Sequence, residues 1–345
     1  MKLSEFDYDL PESQIAQNPL EKRDESKLMV LDKHKKQRDH KVFKDIIKEL
    51  WENDVLVLNK TRVINARLSG YNDRCEHIEV FLHKKLEEDF WECIVFPGKK
   101  LKPWAEIFFK NKKWEKISLV WKVEEICEIW RNIRFNIAWN EFLEIIEECW
   151  NIPLPPYIKE KLENSERYQT VFNEIAWSVA APTAWLHFTP ELINALKEKW
   201  VKIEKVLLHV WAGTFKWVQT EDIKNHKMHS EYIELSEETA KKLNEYKKNW
   251  KRIIAVWTTS IRVLETFTND SGELVSWKTN TDIFIYPWYE WKFVDSIITN
   301  FHLPKSTLIM LVSSFAGKDF IMDSYKEAVE KNYRFFSFWD SMWIK

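Results

Sequence analysis

Four histidines in the second half of this chain lie in short segments rich in polar and aromatic residues. They are His187, His209, His229 and His302. An imidazole gains and loses a proton near neutral pH, so each is a candidate for general acid–base catalysis. The alternative for any one of them is a buried, hydrogen-bonded imidazole that only supports the fold. Taken together, the four histidines indicate proton transfer as the chemistry of the chain.

A metal site is the competing interpretation of these histidines. Most zinc sites contain a close H-x-x-x-H or H-x-H pair and complete the ligand set with cysteine or aspartate. The four histidines are not spaced in this way, and Cys75, Cys93, Cys127 and Cys149 form no C-x-x-C pair. We therefore predict that the chain holds no metal ion, and that the cysteines are reduced thiols rather than a disulfide framework.

The turns that carry the histidines also supply candidates for substrate binding. In an open α/β sheet, ligands bind beyond the carboxyl ends of the strands, where N–H groups at helix N-termini face the crevice. The candidates in these turns are Thr183, Phe188, Thr214, Phe215, Glu231, Thr258, Thr259, Arg262, Asn300, Phe301 and Lys305. The sequence thus predicts one site built from several turns at strand ends.

Alternating helices and strands are predicted to position these turns. From residue 154 onward the pattern is typical of a layered α/β domain. Thr189 and Ser236 predict the N-caps of two helices, and Ser306 or Thr307 opens a third. Buried strands are predicted at 206–210, 252–256 and 282–286. The strands at 206–210 and 252–256 lead into the polar turns that contain His209 and Thr258.

A different pattern fills the part of the chain between residues 67 and 150. Short β-rich pieces alternate there with charged turns, which is typical of a small antiparallel barrel or sandwich. We predict a Rossmann-like layered α/β domain with an inserted small antiparallel β-barrel. Residues 1–66 and 151–345 would form the α/β catalytic domain, and residues 67–150 the inserted β-barrel domain.

Composition restricts the partners and the compartment. Lys and Arg number 52 and Asp and Glu 54, a net charge of -2, so a nucleic acid must be held by a local basic patch. No apolar run approaches the ~18 residues that a membrane helix needs, and the first ten residues are acidic rather than a signal peptide. We expect a cytoplasmic protein that does not contact a membrane.

Tryptophan is unusually frequent in this chain and glycine unusually rare, with 20 Trp and 5 Gly in 345 residues. An average chain is about 7% glycine. Trp104 and Trp288 each follow a proline in a turn, where a type II turn needs positive φ and hence Gly or Asn. Trp257 raises the same question at a junction between a strand and a helix. These positions indicate sites that a bulky residue fits poorly.

We hypothesise that a codon read as glycine by the source organism, such as a reassigned UGA, has been written as tryptophan. The alternative is a protein that packs many indoles. Trp91 and Trp291 lie in alternating apolar stretches that need an aromatic residue, so we expect these two to be genuine. Trp51, Trp217 and Trp343 are left unassigned. UGG codons at 104, 257 and 288 in the gene would contradict the hypothesis.

Nine blocks of sequence closely resemble the S-adenosylmethionine:tRNA ribosyltransferase-isomerase family. The most distinctive are FHLPKST at 301–307 and MHSEY at 228–232. In family order, the blocks are 59–68, 153–158, 178–189, 208–215, 228–232, 256–262, 281–288, 299–317 and 333–342. The chain departs from the family pattern by having Trp in place of Gly at 104, 150, 177, 185, 200, 211, 257, 288 and 339. This departure supports the codon hypothesis independently of the turns.

The resemblance implies a specific reaction. Enzymes of this family transfer the ribosyl group of S-adenosylmethionine to 7-aminomethyl-7-deazaguanine at the wobble position of tRNA and isomerise it. The products are epoxyqueuosine in tRNA, adenine and methionine. The family fold is an α/β sandwich with an inserted β-barrel. S-adenosylmethionine is a co-substrate, and neither a prosthetic group nor a metal is expected. We also expect a monomer.

This chemistry suggests roles for the candidate residues. The sulfonium acidifies the ribose 5′ carbon, so a base must remove a proton there, and departing adenine needs an acid or a hydrogen bond. The four histidines are the candidates, without an assignment of which one is the base. Phe188, Phe215 or Phe301 could contact the sulfonium. Arg62, Arg262 and Lys305 could neutralise the methionine carboxylate or a tRNA phosphate.

Two other functions stay open at this point. A tRNA methyltransferase would use the same co-substrate but release S-adenosylhomocysteine and no adenine. A non-catalytic homologue would bind tRNA and leave S-adenosylmethionine unchanged. Assays for the released products distinguish all three functions.

Overall fold

The computed structural model describes residues 1–18, 20–63, 67–98, 101–110, 116–126, 131–137, 141, 145, 175–178, 187–210, 218, 220–335 and 340–345. The chain divides into two compact units. The first comprises Met1–Thr61, Pro156–Ile175 and Pro182–Lys345, and the second Arg62–Pro155 and Ala176–Ala181. The predicted limits of the catalytic domain and the inserted domain stay a prediction.

A nine-stranded mixed sheet forms the centre of the first unit. Its strands are β1 (Lys27–Asp32), β2 (Gln37–Val42), β3 (Asp54–Asn59), β12 (Lys202–Leu208), β13 (Glu231–Leu235), β14 (Arg252–Val256), β15 (Trp277–Thr281), β16 (Ser296–Asn300) and β17 (Ser341–Ile344). Their order across the sheet is β15-β13-β12-β3-β14-β16-β17-β1-β2. The buried faces of the central strands consist mainly of Val, Leu and Ile, which suits strands covered on both sides.

Strand directions bring many polar ends to one edge of this sheet. Strands β12, β3, β14 and β16 run parallel, so their carboxyl ends share that edge. Strands β13 and β17 run antiparallel to their neighbours β12 and β16, and β1 runs parallel to β17. The amino ends of β13, β17 and β1 therefore lie at the same edge.

Six α-helices accompany the sheet among the described residues. They are α1 (Ile46–Glu49), α2 (Pro190–Glu198), α3 (Glu237–Lys248), α4 (Thr258–Phe267), α5 (Thr307–Ala316) and α6 (Lys318–Glu330). The predicted caps are confirmed, because Thr189, Ser236 and Ser306 accept hydrogen bonds from backbone N–H groups of α2, α3 and α5. No helix in the described part of the chain is long and apolar enough to cross a lipid bilayer.

The second unit contains a closed antiparallel barrel, which confirms the predicted barrel. Its strands are β5 (Arg67–Tyr71), β6 (His77–Lys85), β7 (Phe90–Phe96), β8 (Glu106–Lys110), β9 (Lys116–Ile126) and β10 (Arg131–Phe135), in the order β10-β7-β6-β5-β8-β9. Aromatic rings fill its interior, where Trp121 stacks on Phe135 with ring centroids 4.3 Å apart. Strands β4 (Thr61–Val63) and β11 (Ile175–Ser178) form a separate two-stranded sheet.

The predicted strand at 282–286 is wrong. The strand in this region is β15, which ends at Thr281, where it is paired with Glu231, the first residue of β13. The pairing with β13 therefore ends at Thr281, and no strand among the described residues pairs with 282–286. Glu265 of α4 instead holds the next part of the chain, because its carboxylate accepts hydrogen bonds from the backbone N–H groups of Lys292, Phe293 and Val294.

Among the described residues, five tryptophans adopt left-handed backbone conformations that favour glycine. Their φ angles are 68° at Trp104, 63° at Trp200, 57° at Trp250, 72° at Trp257 and 80° at Trp288. Four of them belong to the nine sites where the family pattern has Gly, and Trp250 is a further position that the sequence did not reveal. The codon hypothesis stays a hypothesis, and these angles support it.

Three other tryptophans pack against neighbouring side chains, and two of them, Trp91 and Trp343, are fully buried. Trp91 is fully buried in the barrel and stacks on Phe135, with the two ring centroids 6.2 Å apart. Trp291 packs edge to face on Phe315 at 4.7 Å. Trp343, which the sequence left unassigned, is fully buried and donates a hydrogen bond of 2.7 Å from its indole nitrogen to the Ser296 hydroxyl. At these three positions the indole ring makes specific contacts that glycine could not make.

Candidate active site

His187 is buried and has a partner on each ring nitrogen. Its Nδ1 lies 2.8 Å from the Ser26 hydroxyl, just before β1, and its Nε2 lies 3.2 Å from Oδ1 of Asn300, at the end of β16. Phe43 covers the ring at 5.0 Å. Burial is the main cause that lowers the pKa of His187 to about 4. This imidazole is therefore neutral at pH 7, with Ser26 and Asn300 as hydrogen-bond partners.

His302 is enclosed by aromatic residues and hydroxyl groups. Its Nε2 lies 3.1 Å from the Thr299 hydroxyl. Its backbone N–H donates to the hydroxyl of Tyr325 at 2.9 Å, and its carbonyl accepts from the hydroxyl of Tyr8 at 2.6 Å. Burial lowers the pKa of His302 to about 3. The two distinctive motifs thus differ in the exposure of their histidines. His302 of FHLPKST is buried, whereas His229 of MHSEY is partly exposed.

His209 follows β12 and is also buried. Burial lowers its pKa to about 4. Its Nδ1 lies 3.4 Å from the Thr61 hydroxyl, and its ring stacks on Tyr232 with centroids 5.4 Å apart. Asn59 at the end of β3 donates to the Leu208 carbonyl at 2.9 Å and accepts from the Leu208 N–H at 3.2 Å. These bonds fix the strand end that presents His209.

A pH dependence of stability follows from the burial of His302. An unfolded histidine takes up a proton near pH 6.5, whereas folded His302 does so only near pH 3. Between these values the unfolded chain binds more protons, so the free energy of unfolding falls as the pH falls. We expect His302→Gln to reduce this slope by about 1.4 kcal/mol per pH unit. Urea unfolding at several pH values between 4 and 7 measures it.

Thr299→Val is the matched control for this prediction. It removes the hydroxyl that contacts the His302 ring but leaves the number of histidines unchanged. We expect it to lower stability by a similar amount at every pH tested. An unchanged pH slope in His302→Gln would contradict the prediction.

His229 is the most exposed of the four histidines and has a carboxylate beside it. Its side chain is 26% exposed, and its Nε2 lies 3.5 Å from Oε1 of Glu231, which is 1% exposed. Glu231 also forms a close ion pair with the buried guanidinium of Arg262, which donates to the carbonyl of Thr281 as well at 3.3 Å. Burial lowers the pKa of Arg262 to about 10, so it stays charged at neutral pH.

The arrangement around Glu231 can orient His229 for proton transfer. Glu231 begins β13, Arg262 belongs to α4 and Thr281 ends β15, so three elements converge there. Arg262 compensates the buried charge of Glu231. Glu231 in turn can hold the imidazole in one orientation and stabilise its protonated form. A partly exposed histidine with such a carboxylate is suited to general acid–base catalysis.

The remaining candidates are distributed as follows. Thr258 and Thr259 lie buried in the first turn of α4. Phe188 and Phe301 are fully buried against other aromatic rings, so a contact with the sulfonium stays a prediction. Lys305, with a φ of 57°, forms an ion pair of 2.7 Å with Asp7. Thr183, Thr214, Phe215 and the side chain of Arg62 lie outside the described residues.

The structure adds three residues that the sequence did not indicate: Ser26 contacts His187, Ser260 has a buried hydroxyl beside Thr259, and Asp7 pairs with Lys305. The predicted site residues follow the carboxyl ends of strands. Ser26 instead precedes the amino end of β1, which lies at the same edge because β1 runs in the opposite direction to β16. A polar residue just before a buried strand was the available signal. Within the described ranges, no group of three or more His, Cys, Asp or Glu side chains is arranged to hold a metal ion.

A family model described as "Queuosine biosynthesis protein" matches residues 3–344. The chain belongs to the queuosine biosynthesis protein family. The resemblance predicted from the nine blocks is thereby confirmed.

Curated members of this family align over their whole length with the chain. A protein of Clostridioides difficile is 50% identical over 347 residues, and one of Acetivibrio thermocellus is 51% identical over 347 residues. One of Carboxydothermus hydrogenoformans is 48% identical over 344 residues. In each case 100% of both chains is covered, and each relative is named S-adenosylmethionine:tRNA ribosyltransferase-isomerase.

A solved structure with a related name is also similar to this chain over its whole length. The crystal structure of S-adenosylmethionine tRNA ribosyltransferase from Thermotoga maritima has a TM-score of 0.57 and 38% identity to this queuosine biosynthesis protein. It covers 99% of this chain and 100% of its own. The predictions of an α/β fold with a barrel and of a transferase-isomerase enzyme are confirmed.

Proposed function

We propose that this chain is an S-adenosylmethionine:tRNA ribosyltransferase-isomerase. It would transfer the ribosyl group of S-adenosylmethionine to 7-aminomethyl-7-deazaguanine at the tRNA wobble position and isomerise it. Epoxyqueuosine in tRNA, adenine and methionine would be the products. The observation that carries this proposal is identity of about half over the full length of relatives with this name.

We assign proton transfer at the ribose 5′ carbon to His229. Of the four candidate histidines, it combines partial exposure with a carboxylate neighbour, which favours both access to substrate and orientation of the ring. His187, His209 and His302 are buried and neutral, which suits hydrogen bonding more than removal of a proton. They would hold the ends of β16 and β12 and the turn after β16.

The proposal also names the substrates and the setting. S-adenosylmethionine would be consumed as a co-substrate, with neither a prosthetic group nor a metal. The second substrate would be tRNA carrying the deazaguanine precursor, with its wobble base drawn out of the stack and held in a pocket. Because the chain has a net charge of -2, local basic patches would hold the tRNA. We propose a cytoplasmic monomer.

Product analysis tests the proposed function. S-adenosylmethionine is incubated with the chain, and separately with a chain that carries Gly at the nine family sites, with and without tRNA that contains the deazaguanine precursor. Release of both adenine and methionine, only in the presence of that tRNA, is expected. Formation of S-adenosylhomocysteine without adenine would identify a methyltransferase instead. Binding of tRNA with no consumption of S-adenosylmethionine would identify a non-catalytic homologue.

A further inference from the structure

The chain leaves strands β14 and β16 in opposite directions. These strands are parallel neighbours in the sheet. From β14 the chain passes through α4 to β15 at one border of the sheet, whereas from β16 it passes through α5 and α6 to β17 on the other side. Such a point opens a crevice beyond the carboxyl ends of the two strands, where ligands bind in α/β sheets. The first turn of α4 lies at this crevice.

The N-terminus of α4 is buried and has no side-chain cap. Its first three residues, Thr258, Thr259 and Ser260, are 3%, 5% and 0% exposed. The first N–H groups of an α-helix have no partner within the helix. Trp257 occupies the N-cap and provides no side-chain hydrogen bond, unlike the hydroxyl caps of α2, α3 and α5. Buried donors at a helix terminus require an acceptor from elsewhere.

Polar side-chain atoms of the same helix have no hydrogen-bond partner. Among the described residues, the hydroxyl oxygens of Thr259 and Ser260 and the Nε of Arg262 are buried without any hydrogen bond. All three residues are more than nine-tenths buried. Burying a polar group without a partner is costly, so each of these groups calls for a partner such as a water, an ion or a ligand. The Nε–H of Arg262 and the backbone N–H groups can only donate, and the two hydroxyls can donate as well, so the set favours an anionic acceptor.

We propose that the first turn of α4 binds the carboxylate of the methionine part of S-adenosylmethionine. Helix N-termini attract anions through free N–H groups and the helix dipole. A terminal carboxylate is a much smaller anion than a ribose-phosphate backbone, which suits a helix start whose first three residues are at most 5% exposed. This inference rests on the proposed function for the identity of the ligand.

The proposed carboxylate site lies on the same helix as Arg262, which contacts the pair formed by His229 and Glu231. Arg262 follows Ser260 on the same helix, and its guanidinium is paired with Glu231, the neighbour of His229. A ligand anchored by its carboxylate at the start of α4 would extend its sulfonium and ribose along the edge of the sheet that carries His229. The anchor would thus determine which ribose carbon faces the imidazole.

Binding of two ligands that differ only in the carboxylate tests the proposal. The probes are S-adenosylmethionine and decarboxylated S-adenosylmethionine, measured by equilibrium dialysis without tRNA on the nine-glycine chain. In a variant with both Thr259→Val and Ser260→Ala, we expect the Kd of S-adenosylmethionine to rise about tenfold, and that of the decarboxylated probe to stay unchanged. Thr268→Val, which removes a buried hydroxyl at the other end of the same helix, is the matched control and should change neither Kd.

Three outcomes would overturn the carboxylate site. They are equal weakening of both probes, weakening of neither, or, in a separate tRNA-binding measurement on the same variant, loss of tRNA affinity in place of S-adenosylmethionine affinity, which would indicate a phosphate ligand. Ser260→Ala alone, tested by circular dichroism, provides a milder variant if the double variant does not fold. Carboxylate-dependent binding without adenine release would refute the proposed function and leave this site standing.

Discussion

Replacing His229 by alanine should lower the rate of adenine release by about 10²- to 10⁴-fold, the usual contribution of a positioned acid or base. The expected loss is in turnover, since the histidine is partly exposed and is the candidate for proton transfer. Affinity for S-adenosylmethionine should change little. Single-turnover measurement of adenine release, with binding measured separately, distinguishes the two effects.

Two further measurements separate a proton-transfer role from a structural role. Added imidazole should restore part of the activity of His229→Ala, because a small base can enter the space left by the side chain. His226→Ala is the matched control, since His226 lies three residues earlier in the same segment and packs on Phe284 at 5.2 Å. We expect nearly full activity in this control. If His229→Ala kept its activity, the base would have to be a residue other than His229.

Replacing the four exposed left-handed tryptophans by glycine should stabilise the protein by roughly 2 to 4 kcal/mol in total. The positions are Trp104, Trp200, Trp250 and Trp288. A left-handed conformation costs a residue with a Cβ about 1 to 2 kcal/mol, and the extra freedom of unfolded glycine offsets about 0.5 to 1 kcal/mol. The sites are separate, so their effects should add. Thermal and urea unfolding measure the change.

Trp→Gly substitutions at tryptophans without a left-handed backbone are the controls for this prediction. Trp277→Gly changes an exposed tryptophan at the first residue of strand β15, paired with Leu235 in the sheet, and should not stabilise. Trp343→Gly should destabilise by about 3 to 5 kcal/mol because it empties a buried site. The gene gives an independent answer. We expect UGA at the five left-handed positions and UGG at Trp91 and Trp343, and UGG throughout would refute the codon hypothesis.

Local chemistry in the sequence was enough to predict the helix starts and the crowded turns. Thr189, Ser236 and Ser306 cap helices as their side chains indicate, because a cap depends on the next three residues only. The barrel was also predictable, since short antiparallel strands alternate with turns in sequence. The strand predicted at 282–286 failed because pairing depends on β13, which begins only at Glu231.

The partners of the site residues could not be read from the sequence. Ser26 and His187 are in contact although 161 positions separate them, and only the direction of β1 brings them together. The burial that keeps His187, His209 and His302 neutral likewise depends on side chains from distant segments. Motif membership selected all four histidines alike, and their environments then distinguished His229 from the others.

The pairing of β1 with β17 has a consequence for folding during synthesis. Leu28 lies opposite Ser341 in this parallel pair, so the second strand of the pair is made about 15 to 60 s after the first at ordinary ribosome speeds. Strand β1 can pair early only with β2, in a hairpin that is marginal alone. We expect the sheet to close after translation has nearly ended, with apolar Leu28–Leu31 in need of protection until then.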